Sequence, residues 1–319
     1  MQTYKNIDLS KQFTMINLPS EGVFYKNRKK SLLIRYLTAI EESVLTDGIL
    51  NESGKAIEMV LNDLIIDNDI EARDLLMCDI QAILIFLRST AYGDSVELDF
   101  KCPNCKNTSK VNLVLSALDW KTPEYKPSKS GEYVIELPNS DIQLKTRPLF
   151  FRDELEKEED DDFLEIKDGS SIIKIKREST NKIASFVTEI NGETSKTKIK
   201  KIIRNLPKSS VLLLKDFFKN NELGVSEENE FTCEYCQEKT KTSIPFGYNF
   251  LSLPSEYKKN ILEEVFLLTY YGKNVSFESA YKMPVFQRRW HINRIQEELE
   301  KKHEAEKGAV ERAKSKGKR

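Results

Sequence analysis

Two pairs of cysteines have the residue type and the spacing to bind a metal ion. Cys102 and Cys105 lie in the stretch LDFKCPNC, and Cys233 and Cys236 lie in EFTCEYC. Two intervening residues let both sulfurs of a pair reach one ion, at about 2.3 Å for zinc, and a structural zinc takes four ligands. The two pairs therefore predict one four-cysteine site for Zn2+ with a structural role, because four protein ligands leave no open position for catalysis.

The same cysteines allow other interpretations. A thioredoxin-like redox role would need a helix that begins at the CxxC motif to stabilise the thiolate, whereas polar residues and a strand-like run follow each pair here. The thiols could also be unliganded. A reducing compartment disfavours disulfides, so we interpret the fifth cysteine, Cys78, as a small buried hydrophobe. The spacing leaves open whether the pairs share one ion within a chain or pair with neighbouring chains.

Composition describes a soluble, folded protein. The 319 residues are enough for about two domains, and the formal net charge of -1 argues against a surface built as a whole for nucleic acid. No apolar stretch approaches the roughly 20 residues of a membrane span, and the N-terminal stretch MQTYKNIDLSKQ has no apolar signal segment. We therefore expect no membrane association and a protein made and kept in a cytoplasm.

Helix signals precede the first cysteine pair, and strand signals surround it. The T-x-x-E pattern of Thr38 and Glu41 predicts a capping box at a helix start. Residues 54–66 have apolar residues at helical spacing, and so does the segment that begins at Asp79, a predicted N-cap, and ends at Tyr92. Alternating apolar residues on both sides of the cysteines then predict a hairpin.

The order of these signals repeats along the chain. The segment IELPNSDIQLKTRPLFFRDELE resembles the earlier INLPSEGVFYKNRKKSLLIRYLTAIEE, and predicted helices over 183–190, 199–206 and 207–220 lead to the second cysteine hairpin. We predict an α+β protein in which two related helix-plus-hairpin units share a zinc-ribbon-like site of four cysteines. The predicted domains are a first unit over 1–130, a second unit over 131–250 with the acidic insertion ELEKEEDDDFLE, and a C-terminal helical arm with a charged tail over 251–319.

The C-terminal arm carries candidate partner-binding residues. Aromatic and arginine side chains lie close together near the start of a long helix predicted after Pro284, and such side chains are common in interface hot spots. These candidates are Phe286, Arg288, Arg289, Trp290 and Arg294. The alternative is that this face of the helix docks on the rest of the chain, and both interpretations hold if only part of the face packs inward.

Catalytic motifs are absent from the sequence. The only histidines, His291 and His303, lie in the C-terminal helix, which excludes an HExxH motif, and no Walker A or dinucleotide-binding glycine pattern occurs. We therefore predict that the protein is not an enzyme.

A zinc-ribbon nucleic-acid-binding protein is the alternative function. In that interpretation the lysines of the hairpins contact phosphates. Those lysines are Lys101, Lys106, Lys110, Lys239 and Lys241. Lysines also keep short edge strands soluble, and stacking aromatics are scarce near the cysteines, so nucleic acid is the less favoured partner.

The ordered motifs LPSEGVFY, LLIRYLTAIEESVLTD, STAYGDSVELDFKCPNC, CEYC and IPFGYNFL resemble the phage T4-type baseplate protein family, often called baseplate hub assembly chaperones of contractile-tailed bacteriophages. The resemblance extends from about residue 16 to 250. It implies a non-enzymatic component or assembly chaperone of the baseplate hub, with the four cysteines as structural zinc ligands. It also implies that the partners are hub or tail proteins, with the tape-measure protein as one candidate. The implied locations are the bacterial host cytoplasm during assembly and the virion tail baseplate.

Overall fold

The structure, a computed structural model, describes residues 12–138, 140–156, 163–168, 171–176, 178–226, 228–244 and 246–316. Helices and small antiparallel sheets make up this part of the chain, which confirms the predicted α+β class. The first elements are β1 Phe13–Asn17, β2 Ser31–Arg35, α1 Ala39–Leu45, α2 Gly48–Glu52, α3 Lys55–Leu64, α4 Met77–Tyr92, β3 Ser95–Lys101, β4 Thr108–Val114 and β5 Trp120–Lys121.

The middle of the chain contains more strands and four helices. They are β6 Tyr133–Glu136, β7 Gln143–Thr146, α5 Phe151–Leu155, β8 Phe163–Asp168, β9 Ser171–Lys176, α6 Glu178–Phe186, β10 Val187–Ile190, α7 Lys196–Arg204, α8 Lys208–Asn220, β11 Gly224–Val225, β12 Glu228–Thr232 and β13 Lys239–Ser243. Three helices follow: α9 Tyr257–Tyr271, α10 Phe277–Tyr281 and α11 Val285–Lys316. None of the helices in these described ranges is long and apolar enough to cross a membrane.

The largest apolar core forms around α4. This helix is buried on nearly all sides, and residues such as Ile83 and Leu87 pack with Ile34 of β2 and Leu61 of α3. Val285, the first residue of α11, belongs to the same core. The beginning of the C-terminal helix is therefore part of the body that surrounds α4.

The start of α1 has the predicted capping box. The backbone N–H of Thr38 donates to Glu41 Oε2 at 2.7 Å, and the N–H of Ile40 donates to Thr38 Oγ1 at 3.3 Å. These bonds satisfy backbone donors that have no partner within the helix.

The predicted role of Asp79 as an N-cap is wrong. The helix begins two residues earlier, at Met77, and Asp79 lies buried in its first turn. Its carboxylate accepts hydrogen bonds from the Ser20 N–H at 3.0 Å, from the Ser20 hydroxyl at 2.6 Å and from the Tyr25 hydroxyl. Burial raises the pKa of Asp79 above its usual range. The side chain thus anchors the loop between β1 and β2 on α4, a tertiary contact that local patterning does not encode.

The loop held by Asp79 has a strict requirement for glycine. Gly22 has a φ of +70°, and a Cβ there would lie 2.5 Å from the carbonyl oxygen of Lys29. We expect Gly22→Ala to lower the free energy of unfolding by about 1–3 kcal/mol, because the backbone conformation and the close carbonyl both oppose a side chain. Urea unfolding would measure this change.

Gly48 provides the matched control. A Cβ at Gly48 meets nothing within 4 Å, and the residue begins α2 without a positive φ. We expect Gly48→Ala to leave the stability unchanged or slightly higher. Equal stability of the two variants would contradict the proposed requirement at Gly22.

The second half of the fold is built on a three-stranded antiparallel sheet of order β10-β7-β6. Its core joins Leu144 of β7 to Ile183, Ile203 and Leu214 of α6, α7 and α8. The predicted helix over 183–190 is wrong in its second half, because α6 ends at Phe186 and the next four residues form β10. Three of those four residues are β-branched, which suits a strand that has a partner in β7.

The acidic insertion lies partly outside the described residues, at 157–162. After these residues, β8 and β9 form an antiparallel hairpin.

The two segments that resemble each other in sequence have the same local structure. Arg35 forms an ion pair with Glu41, the residue that also accepts from the backbone at the start of α1, with 3.0 Å between nitrogen and oxygen. At the start of α5, Arg147 pairs with Asp153 at 2.6 Å, and the Phe150 N–H donates to the same carboxylate at 2.9 Å. In both cases the arginine lies three residues before the N-cap residue, and the acid lies three residues after it. The same arrangement thus stabilises the junction between each strand and the helix that follows it.

Candidate metal centre

Two hairpins place the four cysteines beside one another. Cys102 directly follows β3, which pairs with β4, and Cys233 directly follows β12, which pairs with β13. The rings of Phe100 and Phe231, each two residues before its cysteine, contact one another with centroids 5.7 Å apart. The hairpins therefore lie side by side at their cysteine ends, and Phe100, Phe231, Cys102 and Cys233 form a small buried cluster.

The same turn follows β3 and β12. In each turn, the backbone N–H of the first cysteine donates to the carbonyl of the residue five positions later. The backbone N–H of the residue four positions after the cysteine donates to the carbonyl of that cysteine, and all four bonds are 2.9 to 3.0 Å long. The donors are Cys102, Lys106, Cys233 and Gln237. Lys106 and Gln237 have φ angles of 63° and 58°, the left-handed conformation that lets the chain reverse. Each turn brings the two sulfurs of its pair to the same side.

The four sulfurs have the separation that a tetrahedral zinc requires. Cys102 Sγ lies 3.7 Å from Cys236 Sγ, and Cys105 Sγ lies 3.6 Å from Cys233 Sγ. All four sulfurs lie within 4.8 Å of one another. Four ligands at 2.3 Å from one ion in a tetrahedron would be about 3.8 Å apart. The donor set and its spacing therefore fit one thiolate-bound ion.

Hydrogen bonds to the Cys233 sulfur favour its thiolate. The backbone N–H of Cys236 lowers the pKa of the Cys233 thiol to about 6, and the Ser109 hydroxyl acts in the same direction while burial opposes both. At Cys105, a backbone hydrogen bond from Asn107 lowers the pKa of the thiol, but burial and the other three cysteines together raise it to about 11. Ser109 Oγ lies 3.6 Å from the Cys233 sulfur, and the Asn104 amide nitrogen lies 3.8 Å from the Cys236 sulfur. Both groups belong to the first hairpin and contact a cysteine of the second. Since metals bind the thiolate form, these contacts support ligation.

Three of the hairpin lysines have partners within their own hairpins. Lys110 pairs with Glu97 at 2.6 Å, and Lys239 lies 3.6 Å from Glu230. The Lys106 ammonium donates to the carbonyl of Pro103 at 2.7 Å. These contacts favour the interpretation that the lysines keep short exposed strands soluble.

Two of the candidate partner-binding residues pack into the interior of the chain's own body. Arg288 is fully buried, where its guanidinium contacts Glu42 of α1 and lies 2.6 Å from Glu264 of α9. The ring of Phe286 meets the edge of Tyr36 with centroids 5.0 Å apart. Glu42 and Glu264 gave no signal in the sequence, because both lie on helices that are distant from Arg288 along the chain.

The other three candidates lie nearer the surface. Arg289 donates to the Tyr257 hydroxyl at 2.6 Å and lies over the ring of Tyr92. Trp290 is 53% exposed, and Arg294 is an exposed residue that pairs with glutamates of its own helix. Within this group, Trp290 and Arg294 are the side chains that a partner could reach.

Comparison with known proteins adds one finding. The model of a protein family described as T4 bacteriophage base plate protein matches residues 15–251. The matched span begins in β1, ends before α9 and includes both hairpins with their four cysteines. No curated protein and no solved structure matched the chain.

Proposed function

The chain belongs to the T4 bacteriophage base plate protein family, and from this we propose that it is a non-enzymatic component or assembly chaperone of the baseplate hub. The observation that carries the proposal is the family match over most of the chain, which includes the strand–helix junctions and both hairpins. The partners we propose are hub and tail proteins, among them the tape-measure protein. The proposed locations are the host cytoplasm during assembly and the tail baseplate of the virion.

A structural zinc ion is part of this proposal. Cys102, Cys105, Cys233 and Cys236 would hold it as a zinc-ribbon-like site, and the sulfur separations support this assignment. Bound zinc would join two hairpins whose cysteines are 128 residues apart in the chain. Such a crosslink restricts the unfolded chain far more than a local one, so its role would be to stabilise the body.

We also propose that the body consists of two related units, over 1–130 and 131–250. The repeated arginine, N-cap and acid arrangement supports a common origin, and so do the identical turns after β3 and β12. The segment over 251–319 is then an arm whose base is anchored beside α4. Its helix α11 has 32 residues, or about 48 Å at 1.5 Å per residue.

The mechanism we propose is templating. A body held rigid by zinc presents fixed surfaces, and the exposed part of α11 extends the reach of the protein toward a second subunit. Bringing two subunits together in a defined orientation lowers the entropic cost of their association. This activity requires no catalytic group.

Binding to purified partners tests the function directly. The tagged protein would be co-expressed with individual hub, tail and tape-measure proteins of the same phage, and complexes would be recovered at moderate salt. We expect at least one of these proteins to be retained in a defined ratio. Retention of none of them, together with salt-sensitive retention of DNA or RNA, would refute the proposal and favour the zinc-ribbon alternative.

The exposed residues of α11 should contribute to that binding. We expect Trp290→Ala combined with Arg294→Ala to weaken retention about tenfold or more, since exposed tryptophan and arginine are typical hot-spot residues. Ile49→Ala is the control, because Ile49 is an exposed apolar residue of α2, on another part of the surface. Equal retention of the double variant and the control would show that Trp290 and Arg294 of α11 do not contribute to the interface.

A further inference from the structure

A cleft opens where α4 meets the second half of the fold. It has two lobes, of about 290 Å³ and about 210 Å³. Lys182, Phe186, Phe218 and Glu222 line both lobes, so the lobes lie side by side. The cleft shares no residue with the metal centre, so the zinc proposal leaves it without a role.

Aromatic and aliphatic side chains form the walls of the cleft. Phe186 of α6 and Phe218 of α8 stack with centroids 4.6 Å apart and ring planes 21° from parallel. Ile183 continues this wall in the larger lobe, and Met77 of α4 faces the smaller one. A bulky apolar side chain would be shielded from water on several sides there.

The larger lobe has an excess of positive charge. Lys182, Lys215 and Lys219 line it, and none of the three forms an ion pair within the part of the chain that the structure describes. The acid at the same lobe, Glu222, is already paired with Lys121 at 2.5 Å. Carboxylates of a ligand would therefore find three ammonium groups that no acid of the described residues pairs with.

Two buried hydroxyls lie at the floor of the smaller lobe. Tyr133 of β6 and Thr146 of β7 are directly opposite one another in the strand register, so their side chains share one face. Tyr133 is 6% exposed and Thr146 is 0% exposed, and neither hydroxyl has a hydrogen-bond partner among the described residues. Unpaired buried hydroxyls are costly, and a ligand with polar groups would satisfy them.

We propose that this cleft binds an acidic peptide segment of a partner protein that carries one bulky apolar side chain. The apolar side chain packs on the pair of Phe186 and Phe218, and the flanking carboxylates contact the lysines. The peptide's polar groups bond to the two hydroxyls at the floor. The identity of the protein that supplies the segment rests on the proposed function, since it would be another tail protein. The site itself does not depend on that function.

Fluorescence anisotropy with a defined peptide tests the site. The probe is Asp-Glu-Phe-Asp-Glu-amide with fluorescein on its N-terminal amine, with a second labelled peptide in which alanine replaces the phenylalanine. We expect saturable binding of the first peptide and about tenfold weaker binding of the second, because the second loses the aromatic contact. No saturable binding, or equal binding of both peptides, would overturn the proposal.

Charge reversal separates the lysines of the cleft from general attraction to a basic surface. We expect Lys215→Glu with Lys219→Glu to weaken binding about tenfold or more at low salt. Lys196→Glu with Lys208→Glu changes the net charge equally at exposed positions that do not line the cleft, and should have little effect. Equal loss in both variants would show non-specific attraction and overturn the site.

Thr146→Val tests the floor without changing its shape. We expect this variant to be at least as stable as the natural protein, because an unpaired buried hydroxyl is removed, yet to bind the peptide several-fold more weakly. Unchanged affinity would overturn the role of the hydroxyls. These peptide measurements are independent of the co-expression experiment: retention of tail proteins without peptide binding refutes the cleft alone, and peptide binding without retention of any tail protein refutes the proposed function.

Discussion

We expect replacement of Cys102 with serine to abolish the proposed stoichiometric zinc binding and to lower the midpoint temperature of unfolding by roughly 10 °C or more. Its sulfur is fully buried between the two hairpins, 3.7 Å from that of Cys236, so a serine leaves three thiolates around an incomplete site. At this end the hairpins also meet through the pair of Phe100 and Phe231 and through Ser109 and Asn104, which contact the cysteines of the second hairpin. Losing the ion should therefore loosen both hairpins together.

Elemental analysis and native mass spectrometry would measure the metal, and calorimetry the midpoint temperature. Cys78→Ala is the control, since Cys78 is a buried cysteine of α4 that is not a member of the cluster. It should keep one zinc per monomer and lose only a little stability. A natural protein without zinc would contradict the metal centre. A dimer with two zinc ions would leave sharing of the sites between neighbouring chains open.

The features that the sequence predicted well are local ones. The hairpin around Cys102, the capping box of Thr38 and Glu41 and the helix over Lys55–Leu64 all depend on residues within a few positions of one another. Each has a distinctive pattern, either an alternation of period two, a capping pair or an apolar face of helical period. The two cysteine pairs were also predictable, because metal-ligand spacing is local within each pair, but the spacing left open whether both pairs meet within one chain.

The features that the sequence missed depend on contacts between distant segments. Asp79 has the residue type of an N-cap, but hydrogen bonds from Ser20 and Tyr25 place it inside the helix instead. Val187–Ile190 continues an apolar helical pattern, but pairing with β7 makes it a strand. Glu42 and Arg288 are charged residues expected at the surface, and their contacts with one another, with Glu264 and with Tyr92 permit burial. None of these partners is identifiable from spacing.

Helix α4 contacts several parts of the molecule that the proposals involve, and its Ile85 packs with Val96 and Leu113 of the first cysteine hairpin. Its first residue donates to the carbonyl of Leu149 beside α5 at 3.0 Å, and Gln81 accepts from Val225 of β11 at 3.2 Å. At its other end, the carbonyl of Ala91 accepts from Arg289 of α11 at 3.4 Å. Loosening either the metal centre or the C-terminal helix should therefore be felt at α4.

The buried ion pairs of Arg288 give the second large effect. We expect Arg288→Ala to lower the free energy of unfolding by about 3–5 kcal/mol, because Glu42 would remain buried without its cationic partner. Glu42 is 0% exposed, and besides Arg288 it contacts the hydroxyl of Tyr92 at 2.8 Å. Burying a carboxylate with only a neutral hydrogen bond is unfavourable, so α11 should detach from α1 and α9 before the body unfolds.

Urea unfolding would measure the loss of stability, and limited proteolysis would detect early release of α11. Arg294→Ala is the control on the same helix, since Arg294 pairs with Glu297 and Glu298 at the exposed surface and should contribute little. Combining Arg288→Met with Glu42→Gln removes both buried charges and should recover much of the stability that Arg288→Ala loses. If Arg288→Ala were as stable as Arg294→Ala, the buried pairs would not hold α11. If the combined variant were no more stable than Arg288→Ala, an unpaired charge at Glu42 would not explain the loss of stability.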